Sequence, residues 1–535
     1  MSGGKQVVHV EAQISSSCAD KAGVVRDLVA AFVKAQVPLF RNGRLDVSDD
    51  AALSACVDFV AVTDIRPAYA EITFLFADVK IHAYRLLDSE PEKDYLEGEE
   101  EQLPACEQWE LPNKHLAGLW DSLVLDDHIK HRLMGYVETS MSFSLAHVDS
   151  NIISWNRMAL LYGPPGTGKT TICKALAQKM FVRFANTYEA GVLLEINSHS
   201  LFSKWFSESG KLVMKLFDHI HDIADDKATF VCVLIDEVES IAMARSVRSN
   251  EPGDAVRVVN SVLTSLDALR RRNNVLVLCT SNMIEGVDPA FHDRADVSLF
   301  LGPPVIEARF AILHSCLTEL MRRGLIQPHR ELSPDFAFAM QSYQQRVPPE
   351  DLAFIAPMEA TYGGGGGGED DADMGGNGIN GSQRMSVLLH ESIDSATASV
   401  MMQASFEGSR QQQQQYQNQQ QQGQQWAHQD RVPPPTGGRA DAYASLAERR
   451  SSLNGAGEVN TVFLQPEEWL FLVALKAEGL SGRALRKLPL KAQAFFLSGP
   501  SDVTSFLGAM YSCLEEDVGA GGAGAATGKI NNFTL

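Results

Sequence analysis

The stretch "RMALLYGPPGTGKTTICKALAQKM", residues 157–180, most constrains the fold, because an apolar run enters a glycine-rich turn and leaves it as a helical repeat. Strand, tight turn and helix in immediate succession form the first half of a parallel βα unit. Gly163, Pro164, Pro165, Gly166, Thr167, Gly168, Lys169 and Thr170 fill the pattern GxxxxGK[ST], with Thr171 next in the first helical turn. Glycine lets consecutive backbone N–H groups turn inward on a phosphate chain. Lys169 reaches the β/γ oxygens, Thr170 offers its hydroxyl to Mg²⁺, and the positive helix end faces the anion. The turn is therefore expected to hold a nucleotide.

From 111 to 305 short apolar runs, "RMALLY", "TFVCVLID" and "NVLVLCTS", alternate with segments long enough for crossover helices. That order predicts an α/β fold, a parallel sheet with its chemistry at the strand ends. "FVCVLIDEVE" ends in two acids: Asp236 is placed to hold Mg²⁺ and Glu237 to polarise an attacking water, although an acidic strand end is by itself also an ordinary solvated one. Asn282 closes the next strand and suits a γ-phosphate or that water, or alternatively a helix cap or Asx turn. Arg294, in "DPAFHDRADVSLF", reads either as a finger into a neighbouring subunit's site or as a surface ion pair with Asp293 or Asp296. Arg483, in "EGLSGRALRKLP", opens a helix that could reach back to the phosphates.

The flanks differ in kind. Residues 1–110 mix β-branched runs with a helical pattern, "KAGVVRDLVAAFVKAQ", whose Val24, Leu28, Ala31 and Phe32 share a face, predicting a small α+β domain. The acidic "DSEPEKDYLEGEEEQLP" reads as a linker or a solvated loop. Residues 355–460 carry six consecutive glycines and a glutamine tract, too poor in apolar groups to build a core, and predict a disordered insertion. Helical pattern returns at 461–516, and 517–535 reads as a flexible tail. A formal net charge of -21 argues against nucleic acid as a partner, the patch "LRRRNN" notwithstanding. Eight cysteines with no CxxC spacing read as buried thiols of a reducing compartment, and no apolar stretch is long enough to span a membrane.

"GPPGTGKT", "LIDEVES", "TSN", "DRAD" and "LSGR", in this order, resemble the AAA+ ATPases. The longer stretches "EINSHSLFSKWFSESGKLV" and "DAVRVVNSVLTSLDAL" resemble the pachytene checkpoint protein 2 family, which remodels HORMA-domain proteins. The resemblance implies an AAA+ P-loop module, a parallel sheet with flanking helices, at 111–305. Its small helical lid would be split between 306–354 and 461–516, and residues 1–110 would bind adaptor and substrate. It further implies ATP and Mg²⁺ as cofactors, Lys169, Thr170, Asp236, Glu237 and Asn282 as their machinery, Arg294 as finger and Arg483 as lid sensor. Lys204, Trp205 and Phe206 would line the channel of a hexameric ring and grip the client. The implied role is ATP-driven conversion of HORMA-domain proteins, with an adaptor, in meiotic recombination and the spindle checkpoint. Nucleus and cytoplasm, including meiotic chromosomes, are the expected locations. The alternatives are an unfolding or severing AAA+ ATPase with another protein client, and a nucleotide-gated scaffold.

Overall fold

A computed structural model describes residues 5–65, 71–96, 103–198, 209–240, 252–283, 287–327, 332–346, 464–497 and 499–521. The described residues up to Tyr343 and from Leu464 onward form one compact unit. It begins with β1 (Gln6–Ile14), α1 (Ala22–Gln36), β2 (Leu39–Phe40), β3 (Gly43–Leu45), α2 (Ala51–Cys56), β4 (Val57–Thr63), β5 (Ile72–Thr73) and β6 (Ala77–Tyr84). Four of these strands pair in the order β3-β4-β1-β6, while β2 pairs with β5. This is the expected α+β domain. Val25, Val29, Phe32 and Val33 of α1 pack on the sheet, with Val8, Val10 and Ala12 of β1 in the same core. The buried face is thus rotated from the expected one: Phe32 is shared and Leu28 packs half-buried at its edge, but Ala31 is exposed and Val24 is 50% exposed. Apolar doublets along the helix write two adjacent stripes at i, i+4, i+7, and the bulkier stripe buries more surface.

The second sheet collects β7 (Glu92–Leu96), β8 (Leu103–Leu111), β9 (Met158–Tyr162), β10 (Ala190–Asn197), β11 (Thr229–Asp236), β12 (Val275–Ser281) and β13 (Val297–Phe300). Its order is β13-β9-β12-β11-β10-β8-β7. The strands from β13 to β10 are parallel, whereas β8 and β7 run antiparallel at one edge. This corrects the boundary expected at 110: the acidic segment read as a linker supplies β7, and both added strands belong to the second sheet. Charge on a sheet's outermost strand discourages further pairing, so an acidic sequence suits that place.

β11 shows why the central strands are apolar throughout. Val231, Val233 and Ile235 enter one core, while Phe230, Cys232 and Leu234 enter the other. The first core is closed by Leu216, Phe217 and Ile220 of a helix at Ser209–Asp225 and by Val259, Val262 and Leu266 of another at Pro252–Leu269. The second is closed by Leu133, Val137 and Met141 of the helix Asp127–Leu145 and by Ile172, Leu176 and Met180 of the helix Lys169–Phe184. Each such side chain contributes about 1.5–3 kcal/mol on burial. In chain order the helices after α2 are α3 (Leu119–Ser122), α4 (Asp127–Leu145), α5 (Lys169–Phe184), α6 (Ser209–Asp225), α7 (Pro252–Leu269) and α8 (Pro289–Arg294). One buried arginine fixes the start of β9: Arg157 donates to the carbonyls of Val275, Arg270 and Arg272 and to Ser144 Oγ, at 2.9, 2.5, 2.6 and 2.7 Å.

The lid comprises α9 (Ile306–Arg322), β14 (Ile326–Gln327), α10 (Phe336–Arg346), α11 (Pro466–Lys476), α12 (Gly482–Phe496), β15 (Ser501–Asp502) and α13 (Val503–Gly521). Its two chain segments are stitched together. Arg309 of α9 donates to Ala474 O at 2.7 Å, Ser342 of α10 donates to Glu468, and β14 pairs with β15. The insertion expected at 355–460 lies outside the described residues. α13 extends to Gly521, past the start expected for the flexible tail at 517. No helix among the described residues is long and apolar enough to cross a membrane.

Candidate active site

Strand order places the turn after β9 beside the end of β12, with β11 next across the sheet. Gly163, Gly166 and Gly168 hold φ angles of 145°, 81° and 99°, backbone that side chains disfavour. A Cβ on Gly163 would lie 2.1 Å from Leu301 O, and one on Gly166 would lie 2.8 Å from Ser481 Oγ. The turn therefore needs glycine for both conformation and space. Thr167 donates to Pro164 O at 3.0 Å, closing the loop on itself, while Pro165 is exposed. Gly168 is the N-cap of α5, whose first turn holds no acid, so the helix dipole faces the loop unopposed.

Lys169 is buried, and its ammonium donates to Gly163 O and Pro164 O, each at 2.8 Å. Two of its three donors hold the loop, leaving one for a phosphate oxygen. Burial lowers the ammonium below its ordinary pKa, opposed by the carboxylates of Glu239, Asp236 and Glu237. Thr170 Oγ1 donates to Asp236 Oδ1 at 2.8 Å, and Thr280 Oγ1 donates to the same oxygen. A hydroxyl and a carboxylate held side by side are the hard oxygen donors that suit Mg²⁺. Thr171 follows, half-buried.

Glu237 sits at a φ of 55°, a left-handed conformation costly for a residue with a side chain. It is held there because its own N–H donates to Thr280 Oγ1 at 3.1 Å and Val238 N–H donates to Thr280 O at 2.9 Å. Asn282 Nδ2 donates to Glu237 Oε1 at 3.2 Å, so the two strand-end residues meet.

Arg483, near the start of α12, donates its N–H to Gly166 O at 3.2 Å, bringing the lid onto the phosphate loop. Arg486, one turn on, donates to Ser122 O at 2.6 Å. Arg294 ends α8 and faces Asp267 bidentately, at 2.9 and 2.7 Å. The ion-pair reading named Asp293 or Asp296 instead. Asp296 is occupied elsewhere, accepting from the N–H groups of Asn156 and Arg157 and from Tyr136. The Arg294–Asp267 pair is half-exposed, so it contributes no more than about 1 kcal/mol and is cheap to exchange for another partner. Lys204, Trp205 and Phe206 lie outside the described residues.

Two residues escaped the sequence reading. Thr280, inside an apolar strand, organises both Asp236 and Glu237. Glu239 is 6% exposed and accepts the Asn282 N–H at 3.0 Å, while its other oxygen has no hydrogen-bond partner among the described residues. Their signal is faint, since a threonine in a strand and a second acid after a turn are both common.

A family model described as ATPase family associated with various cellular activities (AAA) matches residues 159–303. The TRIP13-like, AAA+ ATPase lid C-terminal domain matches 305–353 and 439–518, and the TRIP13 N-terminal domain matches 3–89. The pachytene checkpoint protein 2 homolog of Canis lupus familiaris is 45% identical over 330 residues, covering 61% of this chain and 76% of that protein. The homolog of Xenopus tropicalis is 46% identical over the same lengths. The solved structure of C. elegans PCH-2 aligns with a TM-score of 0.61 and 26% identity, over 96% of this chain and 100% of that one. Glycine loop, lysine, paired acids and docked lid thus occupy the regions these families define, and the chain belongs to the pachytene checkpoint protein 2 family of AAA+ ATPases.

Proposed function

We propose that this ATPase converts the conformation of HORMA-domain proteins, as a hexameric ring that hydrolyses ATP between subunits and pulls on a client engaged with an adaptor. The observation that carries the reading is the pairing, in one chain, of a phosphate loop wired to the lid with an N-terminal domain of the kind found in this family. Lys169 and the backbone of Gly163–Gly168 would hold the triphosphate. Thr170 and Asp236 would hold Mg²⁺, which supplies charge neutralisation at the phosphates. Glu237 accepts a proton from the attacking water, and Asn282 holds that carboxylate in position. Arg483 reports the state of the nucleotide to the lid, and Arg294 leaves Asp267 to complete a neighbouring subunit's site. Trp205 and Phe206, with Lys204, grip the client in the channel. Meiotic chromosome axes and the spindle checkpoint, hence nucleus and cytoplasm, are the settings that this client class implies.

The test is ATP turnover by the full chain with and without a closed HORMA-domain protein and its adaptor. Stimulation by the client is expected; turnover indifferent to HORMA proteins but raised by tubulin or another protein overturns the choice of client.

A further inference from the structure

The loop between β1 and α1 and the end of α2 meet at one end of the N-terminal sheet. There Cys18, Asp20 and Cys56 bring two sulfurs and a carboxylate oxygen within 4.8 Å of one another. Cys18 Sγ and Cys56 Sγ lie 3.9 and 3.7 Å from Asp20 Oδ2. Tetrahedral zinc, with Zn–S about 2.3 Å and Zn–O about 2.0 Å, spaces sulfur and oxygen ligands roughly 3.5 Å apart. Both sulfur–oxygen separations thus stand within a few tenths of an ångström of that spacing.

The surroundings hold them there. Arg85, just after β6, donates to Cys18 O at 2.6 Å and Asp20 O at 3.2 Å, fixing the backbone that carries two of the donors. Ser15 N–H donates to Cys56 O at 2.9 Å, tying the third to the same loop. Among the described residues Arg85 donates to main-chain oxygens, and the Asp20 carboxylate is turned to the two thiols. Cys18 is 7% exposed, Cys56 is half-buried and Asp20 is exposed, so the donors line an approach from solvent. Soft thiolates select zinc-like cations over Mg²⁺ or Ca²⁺, and three side chains leave a fourth position for water.

We propose that Cys18, Asp20 and Cys56 form a binding site for a divalent cation of the zinc class, clamping the β1–α1 loop to the end of α2. Binding forms two metal–sulfur bonds and one metal–oxygen bond. It breaks two S–H bonds, releases both protons to solvent, and leaves every oxidation state unchanged.

The experiment uses the full chain, reduced, stripped with a chelator, and titrated with Co²⁺ as a spectroscopic probe. A thiolate-to-metal charge-transfer band should rise and saturate, and Zn²⁺ should displace it. The band should be lost in Cys18→Ser and Cys56→Ser, weakened in Asp20→Asn and retained in Cys316→Ser. Cys18 belongs to the core, so where its serine variant does not fold, Asp20→Asn, altered at an exposed position, carries the test. Zn²⁺ should raise the thermal midpoint of the native chain and raise that of Asp20→Asn less. Absence of the band in the folded, reduced protein, a band that survives Cys56→Ser, or a Cys18–Cys56 disulfide in a chain whose reduced form takes up no metal overturns the site.

Discussion

In the proposed mechanism Glu237 concentrates the chemistry of the site in one residue. Its left-handed backbone is held by Thr280, and its carboxylate meets Asn282. Glu237→Gln keeps the shape and the Asn282 contact but removes the proposed base. Turnover should fall by about 10²–10⁴-fold while nucleotide affinity stays within a few-fold, as equilibrium binding beside steady-state turnover would show. Undiminished turnover would remove the assigned role. Lys169→Ala should instead abolish nucleotide binding, since it deletes the donor left over from Gly163 O and Pro164 O. The phosphate loop was legible in the sequence because it is a contiguous pattern. Its chemistry is done largely by main chain, which only certain residues permit. Thr280 and Glu239 were not legible, because their roles exist only once β11 and β12 lie side by side. The same holds for Cys18 and Cys56, far apart in sequence and joined by sheet register.

Among elements, α5 carries the phosphate loop at one end and the N-terminal domain at the other. Lys179 pairs with Glu11 at 3.1 Å and Asp64 at 3.0 Å, while Arg183 pairs with Glu138 at 2.7 Å and also with Asp64. Burial alone would raise Asp64, but Lys179 and Arg183 overrule it and hold its pKa at about 2. Asp64→Asn leaves two buried cations short of a partner and should cost about 3 kcal/mol of unfolding free energy. Burial, aided by Arg183, lowers the stacked rings of His9 and His82 to about 2 and about 4. Unfolded histidines take up protons near pH 6.5 while these stay neutral, so the unfolded state gains protons first. Stability should therefore fall as pH drops from about 6.5 toward 4, and Asp64 adds its own loss only from about 3.9 down through 2. Unfolding midpoints across this range check the sign; a flat profile from 6.5 to 4 contradicts it. The sequence showed that α5 is a helix but not that both faces are covered, because Lys179 and Arg183 look like solvent-facing residues until Glu11 and Asp64 arrive from another domain. The boundary missed at 110 has a similar cause: a charged stretch fits a linker and an edge strand equally well.

For the whole molecule, the proposed ring turns on Arg294. Asp267 holds it in this chain by a half-exposed pair. If it serves a neighbour, Arg294→Ala should lower turnover by about 10³-fold or more with nucleotide binding kept. Mixing Arg294→Ala chains with Glu237→Gln chains should restore part of the activity, because some interfaces then join an intact base to an intact finger. Mixtures no more active than either variant alone would place the arginine's action within its own subunit. The AAA+ architecture was legible from the order of its motifs, and the split lid from the return of helical pattern after the insertion. The most direct measurement is of the client itself: conversion of a closed HORMA-domain protein, with adaptor and ATP, by the native chain, by Glu237→Gln and by Trp205→Ala. Conversion by the native chain alone is the predicted result, and conversion undiminished in Trp205→Ala, or none by a native chain that hydrolyses ATP, would contradict it.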